Sequence, residues 1–169
     1  ARTMVAALSN ILVQQGDAVG LYAFNDKVIK ELPPRTSPTH LYAINETLGN
    51  LEAGGPTNLI KTLHNLAAKI RRRAMVIIFS DCFTNIEELI DCFSHLHFKK
   101  HDVAVFHIVD EAELKFEMTR PMRFMDMEGN GSLIADPAII RDEYLEHIND
   151  YLKDIRSECL KHKVDYRFC

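Results

Sequence analysis

The sequence predicts a layered α/β fold built on a mainly parallel sheet, and it does so on three counts. Strand-like runs alternate with helical patterns along most of the chain. The runs Ala18–Phe24, Ala74–Phe79 and Val103–Val109 are apolar at successive positions, as strands covered by helices on both faces must be. Short glycine and proline turns separate these segments, with no linker, internal repeat or low-complexity tract between them. At 169 residues, 47% hydrophobic and 26% charged, the chain reads as a single globular domain over 1–169 with a sizeable core.

The elements follow in order. A helix covers roughly Arg2 to Gln15, with Val5, Leu8, Ile11 and Leu12 as its stripe, and Gly16-Asp17 ends it. Ala18–Phe24 is the first strand. Asn25-Asp26 turns the chain into Val28–Leu32, an edge strand that Pro33-Pro34 should stop. Ser37-Pro38 caps a second helix carrying Leu41, Ile44, Leu48 and Leu51. The turn Gly54-Gly55-Pro56-Thr57-Asn58 opens a third, with Leu59, Leu63, Leu66 and Ile70 on one side. Ala74–Phe79 is the next buried strand. Asn85 begins a helix through Leu89, Phe93 and Leu96 with capping-box spacing to Glu88, and Val103–Val109 follows. Met122–Glu128 and Ser132–Ile134 flank Gly129-Asn130-Gly131, a hairpin signal. Asp136-Pro137 caps the longest helix, and Val164–Phe168 is a last short strand. The chain opens at Ala1 inside a helical pattern with no capping residue before it, so an upstream segment is expected.

A net charge of −4 and a pI near 6.1 give no bulk attraction to nucleic acid or to an anionic membrane. No apolar stretch approaches the width of a bilayer. Cys82, Cys92, Cys159 and Cys169 lack C-x-x-C spacing, which points to a reducing cytoplasm and thiols that serve as small apolar side chains. There is no G-x-S-x-G, no phosphate-cradling G-x-x-x-x-G-K, no G-x-G-x-x-G and no H-E-x-x-H.

Two polar loops stand out at the ends of buried elements: the glycine turn with Thr57, and Ser80-Asp81 directly after Met75–Phe79. In open α/β sheets, ligands sit beyond the carboxyl ends of the strands. A hydroxyl and a carboxylate there are the start of an oxygen site for a hard divalent cation. Taken alone the pair reads as capping rather than as a site, with Thr57 closing a helix start and Asp81 a turn. Asp17 and Asp26 read as turn residues, and Asp110, Glu111 and Glu113 as a solvated acidic loop. His95 and His97, two apart on a helix, face different directions and His101 follows Lys99-Lys100 in a loop, so a zinc site is not expected, and His107 reads as a hydrogen-bonded core residue. Arg71-Arg72-Arg73 reads as a solvated run favoured by a helix dipole.

The order of elements, with Gln15-Gly16-Asp17-Ala18-Val19-Gly20-Leu21, Phe24-Asn25-Asp26, Leu32-Pro33-Pro34-Arg35, Ile77-Ile78-Phe79-Ser80-Asp81 and Ile134-Ala135-Asp136-Pro137, resembles the von Willebrand factor type A fold. Within it, the late hairpin ending in Asp-Pro resembles the bacterial domain of unknown function 58. The resemblance implies a three-layer, Rossmann-like sheet with an edge hairpin strand and an extra late hairpin. It implies that Thr57 and Asp81 match two loops of a metal-ion-dependent adhesion site for magnesium, framed by Gly55, Pro56, Asn58, Ser80 and Cys82. Pro56 departs from the pattern, and the family's Asp-x-Ser-x-Ser loop and the central strand bearing it are absent from these residues. Tight magnesium binding is therefore not expected, while strand exchange or dimerisation is. The implied function is a non-enzymatic, cytoplasmic interaction module that binds an acidic partner group and assists a MoxR-type AAA+ ATPase in complex assembly. The alternatives are a magnesium-dependent hydrolase or phosphotransferase using Asp81, and a scaffold with no ligand at the rim.

Overall fold

The computed structural model describes residues 1–169 except 53, 55, 56, 119 and 126–130, and at 122 and 133 the backbone alone. The chain forms two compact units, Ala1–Asn58 and Leu59–Cys169.

The first unit comprises α1 (Arg2–Gln14), β1 (Val19–Phe24), β2 (Val28–Arg35) and α2 (Pro38–Asn50). β1 and β2 form an antiparallel pair, and Asn25 turns it, its side chain accepting from the Lys27 N–H at 3.0 Å. The sequence places the end of β2 at Leu32, but the strand continues through Pro33-Pro34 to Arg35. The ladder shows why: its register shifts between Val19 and Leu21, so the two residues without N–H groups fall in an irregularity. Gly20 gives them room, because a β-carbon there would sit 3.0 Å from the Leu32 carbonyl oxygen and 3.1 Å from the Pro34 ring. β1 is half-buried along most of its length, less covered than its apolar composition suggests. Ser37 caps α2 by accepting from the His40 N–H at 3.1 Å, and His40 Nε2 lies 2.8 Å from the Val19 carbonyl. Arg2 donates to the Leu51 carbonyl at 3.0 Å and ties α1 to the far end of α2.

The second unit comprises α3 (Leu59–Lys69), β3 (Met75–Ser80), α4 (Ile86–Phe98), β4 (Asp102–His107), α5 (Glu111–Lys115), β5 (Met122–Met125), β6 (Ser132–Ala135), α6 (Pro137–Lys161) and β7 (Asp165–Phe168). β3, β4 and β7 make a parallel sheet in that order, the sheet type predicted for these segments. α3 and α4 pack on each other and bury Leu63, Ala67, Leu89 and Phe93, and each large side chain buried this way contributes about 1.5–3 kcal/mol. The late hairpin is present as β5 paired antiparallel with β6, while residues 126–130 of its turn lie outside the described residues. The segment read as a solvated acidic loop is instead the short helix α5. Asp110 accepts from the Ala112 N–H at 2.8 Å, and Glu113 reaches back to the Asp110 N–H, a reciprocal capping box.

Three helices end on the same backbone motif with different residues. After α1, Gly16 takes a left-handed φ of 89°, and Asp17 N donates to the Leu12 carbonyl at 2.9 Å. After α4 and α6 the left-handed position belongs to Lys100 (φ 66°) and Lys163 (φ 57°), with His101 N bonded to the Leu96 carbonyl at 3.0 Å and Val164 N to that of Cys159 at 2.9 Å. A β-carbon in this conformation costs about 1–2 kcal/mol. Lys100→Gly and Lys163→Gly are each expected to stabilise the chain by about 1 kcal/mol, read as a higher denaturant midpoint with an unchanged slope.

Candidate functional site

β3 delivers Ser80 and Asp81 to the C-terminal rim of the parallel sheet. Its ladder runs to the last residue, where the Ile108 N–H donates to the Ser80 carbonyl at 2.9 Å. Beyond it the chain reverses within two residues. Cys82 takes a left-handed φ of 54°, its N–H donates to Ser80 Oγ at 3.0 Å, and its carbonyl accepts from the Thr84 N–H at 2.7 Å. Asp81 Oδ1 accepts from the Phe83 N–H at 3.2 Å and from Ser80 Oγ at 3.4 Å. Oδ2 carries neither of these bonds, and the residue is exposed. The capping role weighed for Asp81 is therefore real for one oxygen and leaves the other outside the turn's bonds.

A buried polar network lies under this turn. The Tyr151 hydroxyl, from the middle of α6, donates to the Cys82 carbonyl in a short hydrogen bond. His107, the last residue of β4 and 1% exposed, has Nδ1 2.7 Å from the Tyr166 hydroxyl of β7. Burial pushes the His107 imidazole below its ordinary value, opposed by a hydrogen bond to the Asp81 backbone and by the charge of Asp81. A neutral ring that donates to that backbone carbonyl must accept at Nδ1, so Tyr166 is the donor. Burial also pushes the Tyr151 phenol up to about 12 and that of Tyr166 upward, so both hydroxyls keep their protons. Cys82 is buried beneath the turn, its thiol pushed up to about 12 mainly by burial, with the neighbouring Cys159 and Asp81 adding to the effect. It is a packing residue, not a nucleophile.

Of the residues singled out in the sequence, Ser80, Asp81 and Cys82 form one turn. Thr57 and Asn58 are exposed at the end of the first unit, with Asn58 N donating to the Asn25 carbonyl at 3.2 Å. Gly55 and Pro56 lie outside the described residues. The three candidate histidines are not brought together: His95 Nδ1 meets His64 Nδ1 at 3.1 Å, while His97 Nδ1 donates to the His101 carbonyl at 3.0 Å. Sequence reasoning missed Tyr151 and Tyr166, because nothing in their spacing links them to positions 82 and 107. It also missed Phe83, which stands 88% exposed beside Asp81.

A family model described as Protein of unknown function DUF58 matches residues 1–151. No curated protein and no solved structure matches the chain.

Two outcomes test the chemistry of this rim. Burial also raises the Cys92 and Cys159 thiols to about 11, and Cys169 is the exposed cysteine. A thiol reagent at mildly alkaline pH should label one of the four cysteines in the native chain, Cys169, and all four after denaturation. His107 has a folded value below its ordinary 6.5, so its neutral form contributes stability that is complete above that pH and is lost as pH falls through the folded value. The melting midpoint should drop on that acid limb, and less steeply in His107→Gln.

Proposed function

The chain belongs to the family described as Protein of unknown function DUF58, and from that premise we propose that it is a non-enzymatic protein-interaction module whose Asp81 rim takes an acidic group of a partner through a magnesium ion. What carries this is the Asp81 carboxylate. It stands exposed beyond the carboxyl end of a parallel sheet, on a turn tied from beneath by Tyr151, with one oxygen outside the turn's own hydrogen bonds. A carboxylate held this way is ordered before an ion arrives, which hard-cation sites favour.

The donor chemistry fits magnesium, since a hydroxyl and a carboxylate are hard oxygen ligands. Asp81 would supply one position, and by the resemblance to the adhesion site Thr57 matches a second ligand. Among the described residues no three His, Cys, Asp or Glu side chains come together to supply more. The remaining ligands would come from the Asp-x-Ser-x-Ser loop of the type A fold, and with it the central strand of the finer three-layer, von Willebrand factor A-like architecture. Each unit separately offers an edge for such a strand: among the described residues β1 pairs only with β2, and β3 only with β4. When bound, the ion would supply the positive charge that joins the two carboxylates. The backbone of Ser80 and Cys82 would frame it on the second unit. The proposed partner is a MoxR-type AAA+ ATPase, met in the cytoplasm during assembly of a complex. No helix of the described residues is long and apolar enough to cross a membrane.

Magnesium titrated calorimetrically into these residues alone should bind only weakly. Protein that also carries the Asp-x-Ser-x-Ser loop should bind it tightly, and Asp81→Ala should weaken that binding about a hundredfold and abolish capture of the ATPase. Tight binding by these residues alone would overturn the ligand count. Phosphatase turnover lost in Asp81→Ala would favour the magnesium-dependent hydrolase instead.

A further inference from the structure

Three loops lead into the parallel sheet of the second unit. Because β3, β4 and β7 run the same way, all three lie on the rim opposite Asp81. The first carries Arg71, Arg72 and Arg73, the second Lys99 and Lys100, the third Lys161, His162 and Lys163, and every one of these side chains is exposed. Acidic neighbours engage only part of the set: Arg73 pairs with Asp102 at 3.0 Å and Lys161 with Glu158 at 2.6 Å. Arg71, Arg72, Lys99, Lys100 and Lys163 have no ion pair among the described residues.

Two apolar side chains stand among these cations. Phe98, 82% exposed, directly precedes Lys99-Lys100, and Leu160, 79% exposed, directly precedes Lys161-His162-Lys163. The two helix ends are neighbours, with Ser94 Oγ 3.5 Å from His162 Nδ1. Each therefore repeats one pattern, an exposed apolar residue followed by cations. A helix dipole accounts for a lysine in a last turn such as Lys161. It does not account for exposed Phe98 and Leu160. Nor does it explain lysine at the left-handed positions of Lys100 and Lys163, where glycine serves the fold better, as Gly16 does after α1.

We propose that this basic rim docks on an anionic phospholipid surface, with Phe98 and Leu160 entering the interfacial layer and the surrounding lysines and arginines contacting the headgroups. Apolar anchors flanked by cations are the pairing that such a surface binds, each cation adding about 1 kcal/mol, or about fivefold in partition. A single-stranded nucleic acid would stack its bases on rings, for which the rim offers Phe98 and His162, and would leave Leu160 in water. The negative net charge does not oppose docking. The entry rim has acids of its own in Asp102, Glu158 and Asp165, of which Arg73 and Lys161 engage the first two, while Asp81 lies a strand length away, about 20 Å, well beyond the screening length of about 8 Å at physiological salt. Docked this way, the unit turns Asp81 away from the bilayer. The inference does not depend on a metal at Asp81.

The chain contains no tryptophan, so Phe98→Trp supplies a single reporter at the centre of the rim. With phosphatidylcholine vesicles containing phosphatidylserine, its emission should shift to the blue and the protein should sediment with the vesicles. Neutral phosphatidylcholine vesicles should give neither effect, and high salt should reverse both. In the Lys99→Ala, Lys100→Ala double variant, partition should fall about 25-fold, two steps of about fivefold. Leu160→Ser should weaken it further without moving the melting midpoint. Unchanged emission with anionic vesicles, equal binding to neutral ones, or binding of single-stranded RNA without vesicle binding would each overturn the proposal.

Discussion

The constraint on which the second unit depends is the parallel register of β3, β4 and β7. Parallel strands cannot be joined by tight turns, so each must be re-entered through a helix, and every entry loop falls on one rim while every exit loop falls on the other. Sequence-distant segments are thereby sorted by direction. The exit side receives Ser80-Asp81 and the Asp110 cap of α5; the entry side receives the arginine run, the two lysine-bearing helix ends and the exposed Phe98 and Leu160. A chain whose charges sum to a mild negative value is thus polarised within one unit, and the sum conceals it.

The exit side also holds a turn whose backbone is tied at several points. A β-carbon-bearing residue in left-handed conformation persists only where its surroundings hold it there. At Cys82 those surroundings are a serine hydroxyl, a helix tyrosine and the ordinary turn bond from Thr84. Beneath them the His107–Tyr166 pair fills the space with hydrogen-bonded polar groups, and burial lowers the imidazole and raises the phenol from their ordinary values, so the uncharged form of each is favoured under the carboxylate. The order of Asp81 is supplied by elements that never appear near it in the sequence.

Local rules read much of this molecule correctly. Ser37 and Asn85 cap their helices through the side-chain bonds that their spacing predicts, and the apolar run at Met75–Phe79 is a strand of a parallel sheet. Local rules also misread two places, for different reasons. Pro33-Pro34 looked like a stop because prolines cannot donate to a ladder, yet an irregularity in register left their side of the strand with nothing to donate to. Asp110-Glu111-Ala112-Glu113 looked like a charged loop, although aspartate followed three residues on by glutamate is a capping box and would have revealed α5. What no local rule reaches is pairing across the chain. Cys82 and Tyr151 are 69 residues apart and His107 and Tyr166 59, and neither pair has a motif. The arginine run was visible as a run; only the sheet direction shows that it has company.

The grip of α6 on the β3 turn has an evolutionary corollary. Tyr151 holds position 82 by its carbonyl, a group common to every amino acid, so the turn bond itself needs no thiol, and a small apolar residue or glycine would serve at this buried position. The hydroxyl has no such freedom. In descendants of this chain the turn would outlive its cysteine, and the tyrosine would be the letter that stays.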